Sequence, residues 1–136
     1  MELKERFLKY VAINTRSDEN SETFPSTAVQ WDLLNALVEE MKLLGLQYVT
    51  IDKYGYAMGT IPATPGKENA PVIGFLAHVD TAPDMSGENV RPHIIESYDG
   101  KDIVLNNALT MKVSDFPELS RFVGHTLIHT DGTTLL

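Results

Sequence analysis

The residues best suited to chemistry are His78 and Asp80, which follow the apolar run Val72-Ile73-Gly74-Phe75-Leu76-Ala77. A short run without alternation is typical of a central strand covered on both faces. Residues two apart on a strand point to the same side, so the imidazole of His78 and the carboxylate of Asp80 are expected to be neighbours. Imidazole can bind a metal through one nitrogen while its other N–H donates to a carboxylate. The spacing therefore favours a metal ligand with its orienting carboxylate.

The other histidines and nearby acidic residues give weaker signals. A surface or structural histidine is the alternative that the spacing leaves open for His78 as well. His93 begins a short strand and is expected at an exposed edge, His125 follows a glycine in a turn, and His129 is a weaker candidate ligand. Asp84 could line the mouth of the site. The carboxylates expected mainly to shape loops are Asp84, Glu88 and Asp131.

The composition and the missing motifs exclude several kinds of chemistry. The chain has no cysteine, which excludes disulfides, cysteine-based zinc fingers, iron–sulfur clusters and thiol catalysis. A metal site would use His, Asp and Glu, a ligand set that suits zinc, manganese or cobalt. Neither a G-x-S-x-G nucleophile elbow, a phosphate-binding glycine loop nor an H-E-x-x-H pair is found. The sequence thus offers no pattern for these other chemistries, whereas a metal site of this kind would suit a hydrolytic role.

The charge and hydropathy of the chain argue against two kinds of partner. The formal net charge is -8, whereas nucleic-acid binding needs clustered Lys and Arg. No run approaches the roughly 20 apolar residues of a membrane span. The start, Met1-Glu2-Leu3-Lys4-Glu5-Arg6, is charged and lacks the apolar core of a signal peptide. We therefore expect a cytoplasmic protein without nucleic-acid or membrane partners.

The first half of the sequence predicts two helices and a hairpin. Leu3, Phe7, Leu8 and Val11 share one face of a helix over residues 2–13, which a polar loop over 14–23 follows. A second helix should begin near Pro25, with Ser26 or Thr27 as its cap, and should end before Gly45. The segments 46–51 and 56–61 alternate and should pair as a hairpin.

The second half predicts mainly strands. The expected elements are the buried strand 72–77, a loop over 81–90, strands over 93–96 and 102–105, helical turns over 117–122, and strands over 126–129 and 133–136 around a type I′ turn at Asp131-Gly132. Helices, a hairpin and a buried strand together indicate an α/β fold, with a mixed sheet covered by helices.

Several segments, in this order, resemble the tripeptide aminopeptidases of the M20 metallopeptidase family. They are Tyr10-Val11-Ala12-Ile13-Asn14-Thr15-Arg16-Ser17-Asp18-Glu19, Pro25-Ser26-Thr27, Gly59-Thr60-Ile61-Pro62-Ala63, Gly74-Phe75-Leu76-Ala77-His78-Val79-Asp80-Thr81-Ala82-Pro83-Asp84, Tyr98-Asp99-Gly100 and Thr130-Asp131-Gly132-Thr133-Thr134-Leu135-Leu136. The resemblance covers residues 1–136. It implies the N-terminal portion of the catalytic domain of a dizinc exopeptidase-like fold.

The resemblance also implies an activity and the roles of two residues. Members of this family hold two zinc ions in a catalytic domain into which a smaller lid domain is inserted. They release the N-terminal residue of a short peptide, here a tripeptide, with metal-activated water. The histidine of the family's His-x-Asp motif binds zinc, which implies that His78 is a metal ligand. The aspartate orients that histidine and counts as catalytic, which implies this role for Asp80.

The resemblance further implies that parts of the site lie beyond Leu136. In the family, the bridging aspartate, the general-base glutamate and the remaining ligands come later in the sequence, as do the lid and the rest of the catalytic domain. We therefore expect this chain by itself to be an incomplete, inactive fragment. An uncovered sheet edge and apolar helix faces would favour self-association.

Two alternatives stay open at the level of the sequence. The first is another member of the same family, such as a dipeptidase, a carboxypeptidase or a deacylase, because the shared metal residue does not choose the substrate. The second is a non-catalytic binding or assembly module on the same fold, which the missing ligands would favour.

Overall fold

The computed structural model describes residues 2–136, which form helices and short strands. In chain order the elements are α1 (Leu3–Val11), α2 (Gln30–Leu43), β1 (Gln47–Ile51), β2 (Ala57–Thr60), β3 (His93–Ile95), β4 (Ile103–Val104), β5 (Thr110–Met111), a 3₁₀ helix (Pro117–Phe122) and β6 (Leu127–His129). The strands form three antiparallel pairs, β1–β2, β3–β6 and β4–β5. The predicted α/β class is confirmed.

The chain divides into two compact units. The central unit is Asn14–Pro83, and the flanking unit joins the residues up to Ile13 to Asp84–Leu136. Helix α2 and the β1–β2 hairpin belong to the central unit, and the remaining elements belong to the flanking unit. His78 and Asp80 therefore lie in the central unit.

Helix α2 packs against the β1–β2 hairpin and supplies the core of the central unit. Leu33, Leu34 and Val38 are buried on its inner face. Because residues three or four apart return to the same side of a helix, Leu34 and Val38 lie on one face with Leu33 beside them. This apolar stripe can cover one face of the hairpin. The predicted second helix and the predicted hairpin are both confirmed.

The end of α2 follows the prediction made for Gly45. This residue has φ +82°, which favours glycine because a side chain would be strained there. Its N–H donates to the carbonyl of Lys42, and the N–H of Leu46 donates to the carbonyl of Met41, both at 3.0 Å. This pair of bonds is a Schellman motif, and it satisfies carbonyls at the end of the helix.

The start of α2 differs from the prediction. The residue before the helix is Val29, and no side chain caps it. The hydroxyl of Thr27 donates instead to the carbonyl of Arg16 at 2.7 Å, while the side-chain amide of Gln30 donates to the hydroxyls of Ser26 and Thr27. The expected capping residue therefore ties the helix to a preceding loop.

The largest difference from the prediction concerns residues 72–77. This segment forms no strand in the structure. Val72, Phe75 and Leu76 are 99%, 95% and 99% exposed. No strand among the described residues pairs with the segment, so its apolar side chains have no surface to pack against. The prediction of a buried strand is wrong for this chain.

In the flanking unit, the predicted strands over 93–96, 102–105 and 126–129 form, whereas the predicted strand over 133–136 does not. Strand β3 pairs with β6, and β4 pairs with β5. Between β3 and β4, Tyr98 is only 2% exposed, and its N–H donates to the carbonyl of His125 at 2.8 Å. Burial raises the pKa of the Tyr98 hydroxyl, and the nearby charges of Asp99 and Asp102 raise it further.

The hairpin predicted around Asp131-Gly132 is absent. A type I′ turn needs positive φ at both central residues, whereas Gly132 has φ +79° and Asp131 is not among the residues with positive φ. Thr134 instead forms a parallel bridge with Ser86, and the N–H of Leu135 donates to the carbonyl of Ser86 at 3.0 Å. The helical turns predicted over 117–122 are present as the 3₁₀ helix.

The described residues include no helix that is both long and apolar enough to cross a membrane.

Candidate functional site

The side chain of His78 is held by two oxygens of Asp80. Its Nδ1 lies 2.8 Å from the backbone carbonyl oxygen of Asp80 and 3.1 Å from the carboxylate Oδ1. A carbonyl and a carboxylate accept hydrogen bonds but do not donate them, so Nδ1 must carry the proton. The structure brings the two residues together as their spacing predicted, even though the strand expected before them is not formed.

This tautomer leaves Nε2 as the nitrogen with a free lone pair in neutral His78. No hydrogen bond to Nε2 is found in the part of the chain that the structure describes. The His78 side chain is 84% exposed and that of Asp80 is 46% exposed, so a ligand can reach the ring. An imidazole whose Nδ1–H bonds to a carboxylate is the usual arrangement of a histidine metal ligand. The pair can therefore supply one oriented nitrogen ligand.

Backbone hydrogen bonds to the loop 15–17 hold the residue that follows Asp80. The N–H of Thr81 donates to the carbonyl of Thr15 at 3.0 Å, and the N–H of Ser17 donates to the carbonyl of Thr81 at 2.9 Å. Together these bonds form a parallel bridge between Arg16 and Thr81. Thr15 is only 3% exposed, so the bridge is partly shielded from water.

Side chains of the same loop strengthen this connection. The Arg16 guanidinium donates from Nε and Nη2 to the carbonyl of Pro83 at 3.0 and 2.6 Å. The hydroxyl of Ser17 donates to the carbonyl of Thr81 at 2.9 Å. The sequence predicted a polar loop here but no part in the site, because hydrogen bonds to backbone carbonyls leave no distinctive spacing. The sequence Asn14-Thr15-Arg16-Ser17, with several donors in succession, was the available signal.

The described residues do not contain a complete metal site. No group of three or more His, Asp or Glu side chains among them is placed to hold a metal ion. A catalytic zinc ordinarily has three protein ligands. His78 and Asp80 fit one of those ligands and its orienting carboxylate, so their metal and catalytic roles stay predictions.

The structure also brings two other histidines together. His93 and His129 are directly opposite each other on β3 and β6, with ring centroids 5.4 Å apart and ring planes at 20°. His93 is exposed, as predicted, and the Nδ1 of His129 lies 2.7 Å from the carbonyl of Thr130. The sequence missed this pair, because the register of strands far apart in the chain cannot be read from either strand.

Asp131 shapes its turn, as the sequence predicted. Its Oδ1 accepts hydrogen bonds from the N–H and the hydroxyl of Thr133. These bonds lower the pKa of the Asp131 carboxyl, burial works against them, and the charges of His93 and Arg91 lower the pKa further. A carboxylate used in this way is a structural acceptor. The prediction that it shapes a loop is confirmed.

The remaining candidates show no second site. His125 packs edge-to-face against Phe122, with ring centroids 6.2 Å apart. Asp84 and Glu88 are exposed loop residues. Each of them therefore fits the structural alternative. The expectation that Asp84 lines the mouth of the site stays a prediction.

Comparison with curated proteins matches the whole chain to one kind of enzyme. Peptidase T of Geobacillus sp. (strain WCH70) is 58% identical over 137 aligned residues, which cover 99% of this chain and 33% of that protein. Peptidase T of Geobacillus kaustophilus (strain HTA426) and that of Bacillus subtilis (strain 168) are also 58% identical, with the same coverage. Over almost its whole length, the chain is therefore similar to part of proteins named peptidase T. No family model matches it.

The name of these relatives and the share of their length that the chain spans both limit what can be said of its function. The name peptidase T denotes a peptidase, which agrees with the class of enzyme that the sequence resembles. The chain spans about a third of the length of the curated peptidase T relatives that it matches. The activity of a whole peptidase T therefore reaches this chain only as a proposal.

Proposed function

We propose that the protein carrying this sequence is a zinc-dependent aminopeptidase of the M20 type that releases the N-terminal residue from tripeptides in the cytoplasm. Identity of 58% to peptidase T relatives supports the peptidase activity. The resemblance of the ordered segments to tripeptide aminopeptidases supports the substrate and the metal. In this proposal, residues 1–136 form part of the catalytic domain.

The observation that carries the proposal is the hydrogen bonding of His78. Its Nδ1 donates to both oxygens offered by Asp80, which leaves Nε2 for a zinc ion. The Asp80 carboxylate fixes the ring tautomer and makes the imidazole a better donor to a metal. Two bound zinc ions would supply the Lewis acidity that activates water and polarises the scissile carbonyl.

We propose that this chain is inactive by itself. One oriented imidazole leaves most coordination positions of a zinc ion to water, so it holds the metal weakly. Removal of a proton from the attacking water also requires a general base. The other ligands and the base would come from residues outside this chain.

Two substitutions in the full-length protein test the proposal. His78→Ala should remove a ligand and lower both zinc content and tripeptide hydrolysis, the latter by about 100-fold or more. Asp80→Ala should lower hydrolysis by about 10- to 100-fold with a smaller loss of zinc, since it acts on the ligand. His93→Ala removes another exposed histidine and should leave both quantities unchanged. Metal analysis and hydrolysis of a tripeptide measure these effects.

Wild-type zinc content and activity in His78→Ala would contradict the proposal. A panel of dipeptides, tripeptides and N-acyl amino acids would test the substrate. Preference for dipeptides or acylated substrates would replace the tripeptide assignment with another activity of the M20 type.

We also propose that the isolated 136-residue chain self-associates through residues 72–76. Phe75 and Leu76 are 95% and 99% exposed, and exposed apolar runs drive association in water. Sedimentation velocity of the chain should show concentration-dependent association that Phe75→Ser reduces. Association that is unchanged in Phe75→Ser would place the contact elsewhere.

A further inference from the structure

One peptide group connects the loop 15–17 to the ring of His78. This group lies between Asp80 and Thr81. Its carbonyl accepts from Nδ1 of His78 at 2.8 Å, and its N–H donates to the carbonyl of Thr15 at 3.0 Å. Because a peptide is planar, a bond at its N–H end fixes the direction in which its carbonyl points. The position of Thr15 therefore helps to set the orientation of the His78 ring.

The bonds that fix this peptide also strengthen one another. The N–H of Thr81 and the carbonyl of Asp80 belong to one resonance-linked group, so a bond at one end polarises the other. The chain of bonds runs from the Thr15 carbonyl through this peptide to the Nδ1–H of His78. A shift of the loop 15–17 would lengthen the bond on which the ring depends.

Arg16 and Ser17 hold the segment 81–83 at both of its ends. Ser17 donates to the carbonyl of Thr81 from its N–H and from its hydroxyl, each at 2.9 Å. The two guanidinium donors of Arg16 meet at the carbonyl of Pro83. A planar guanidinium suits such convergence, because its donors have fixed directions that a lysine ammonium does not reproduce.

We propose that Arg16 is a positioning residue for His78. It anchors the loop 15–17 to Pro83, keeps the Thr15 carbonyl on the N–H of Thr81, and so maintains the peptide that orients the zinc ligand. The proposal rests on the proposed function in one respect, namely that His78 binds zinc. The hydroxyl of Thr27 donates to the backbone carbonyl of Arg16 at 2.7 Å and so helps to hold this residue in place.

The test uses the full-length protein with Arg16→Ala, Arg16→Lys and the control Arg121→Ala, which removes an exposed arginine of the 3₁₀ helix. Zinc affinity is measured by competition with a chelator, and kcat and KM are measured with a tripeptide. Arg16→Ala should lower zinc affinity and kcat by about 10-fold, the lower end of the range for residues that orient a ligand, with KM little changed. Arg16→Lys should recover only part of the loss, and added ethylguanidinium should partly restore Arg16→Ala. Arg121→Ala should match the wild type.

Zinc affinity and kcat at wild-type values in Arg16→Ala would overturn the proposal. Thr27→Val provides a second test if Arg16→Ala fails to fold, because it removes the hydroxyl bond to Arg16, together with the one accepted from Gln30, with little change of shape. It should lower zinc affinity by about two- to fivefold, and an unchanged affinity would overturn the proposal. A wild-type protein that binds no zinc would instead reject the proposed function.

Discussion

The two sides of His78 differ in how the chain supports them. After His78, the segment 81–83 accepts or donates hydrogen bonds with Thr15, Arg16 and Ser17. Before His78, the apolar run 72–77 forms no strand, and Phe75 and Leu76 are almost fully exposed. The described residues therefore support the histidine from one side.

This difference shows that the orientation of His78 does not depend on the strand expected before it. The ring is held by Asp80, and Asp80 is held through Thr81. The apolar run, in contrast, is exposed and pairs with no strand among the described residues. The hydrogen bonding of His78 and Asp80 therefore forms independently of any packing of residues 72–77 in this chain.

Substitutions of buried apolar side chains should destabilise the chain much more than substitutions in the exposed apolar run 72–77. Leu34 is 4% exposed, whereas Phe75 is 95% exposed. Leu34→Ala should lower the free energy of unfolding of the 136-residue chain by about 2–5 kcal/mol, because it leaves a cavity under the hairpin. Phe75→Ala should change it by less than about 0.5 kcal/mol. Urea unfolding followed by the fluorescence of Trp31, on α2, measures both, and equal effects would contradict the comparison.

A proline on each side of His78 should give a smaller contrast. Thr81→Pro removes the N–H that donates to the carbonyl of Thr15, a residue that is only 3% exposed. Because that carbonyl then lacks a partner, the free energy of unfolding should fall by about 1–3 kcal/mol. Ile73→Pro should cost less than about 0.5 kcal/mol, because no hydrogen bond from the Ile73 N–H is found among the described residues. Urea unfolding of the two variants compares them. A larger loss for Ile73→Pro would mean that the run is structured.

The smallest contrast concerns one hydroxyl. Ser17→Ala removes the hydroxyl bond to the carbonyl of Thr81 but keeps the bond that the Ser17 N–H donates to the same carbonyl. The free energy of unfolding should therefore fall by about 0.5–1.5 kcal/mol. Amide hydrogen exchange should show faster exchange at Thr81 and no change in residues 72–77. Ser120→Ala, which removes a hydroxyl bond to Pro117, should leave the Thr81 amide unaffected. Unchanged exchange at Thr81 in Ser17→Ala would mean that the hydroxyl does not support the bridge.

The sequence predicts the parts of the fold that local patterns determine. The helical period of Leu33, Leu34 and Leu37 and the glycine at 45 predict α2, and alternation predicts the β1–β2 hairpin. It does not predict that β3 pairs with β6, because that pairing joins distant segments. The prediction of a buried strand over 72–77 is wrong for a related reason. An apolar pattern shows that a segment needs a partner, but it does not show that the chain supplies one.

The candidate site divides in the same way. The spacing of His78 and Asp80 predicts their hydrogen bond, since both residues belong to one short segment. The contribution of Thr15, Arg16 and Ser17 is not predicted, because their bonds go to backbone carbonyls that every residue carries. Side-chain type predicts the candidate ligand, whereas the three-dimensional structure is needed to find which residues position it.

The tautomer of the His78 ring decides whether Asp80 orients this residue to bind zinc through Nε2. Nitrogen-15 NMR of the histidine rings in the full-length protein, with His78 assigned by comparison with His78→Gln, reports which nitrogen carries the proton. Without metal, Nδ1 should carry the proton, and the Nε2 signal should change when zinc is added. A proton on Nε2, or a ring that zinc leaves unchanged, would contradict the assignment of His78 as a zinc ligand oriented by Asp80.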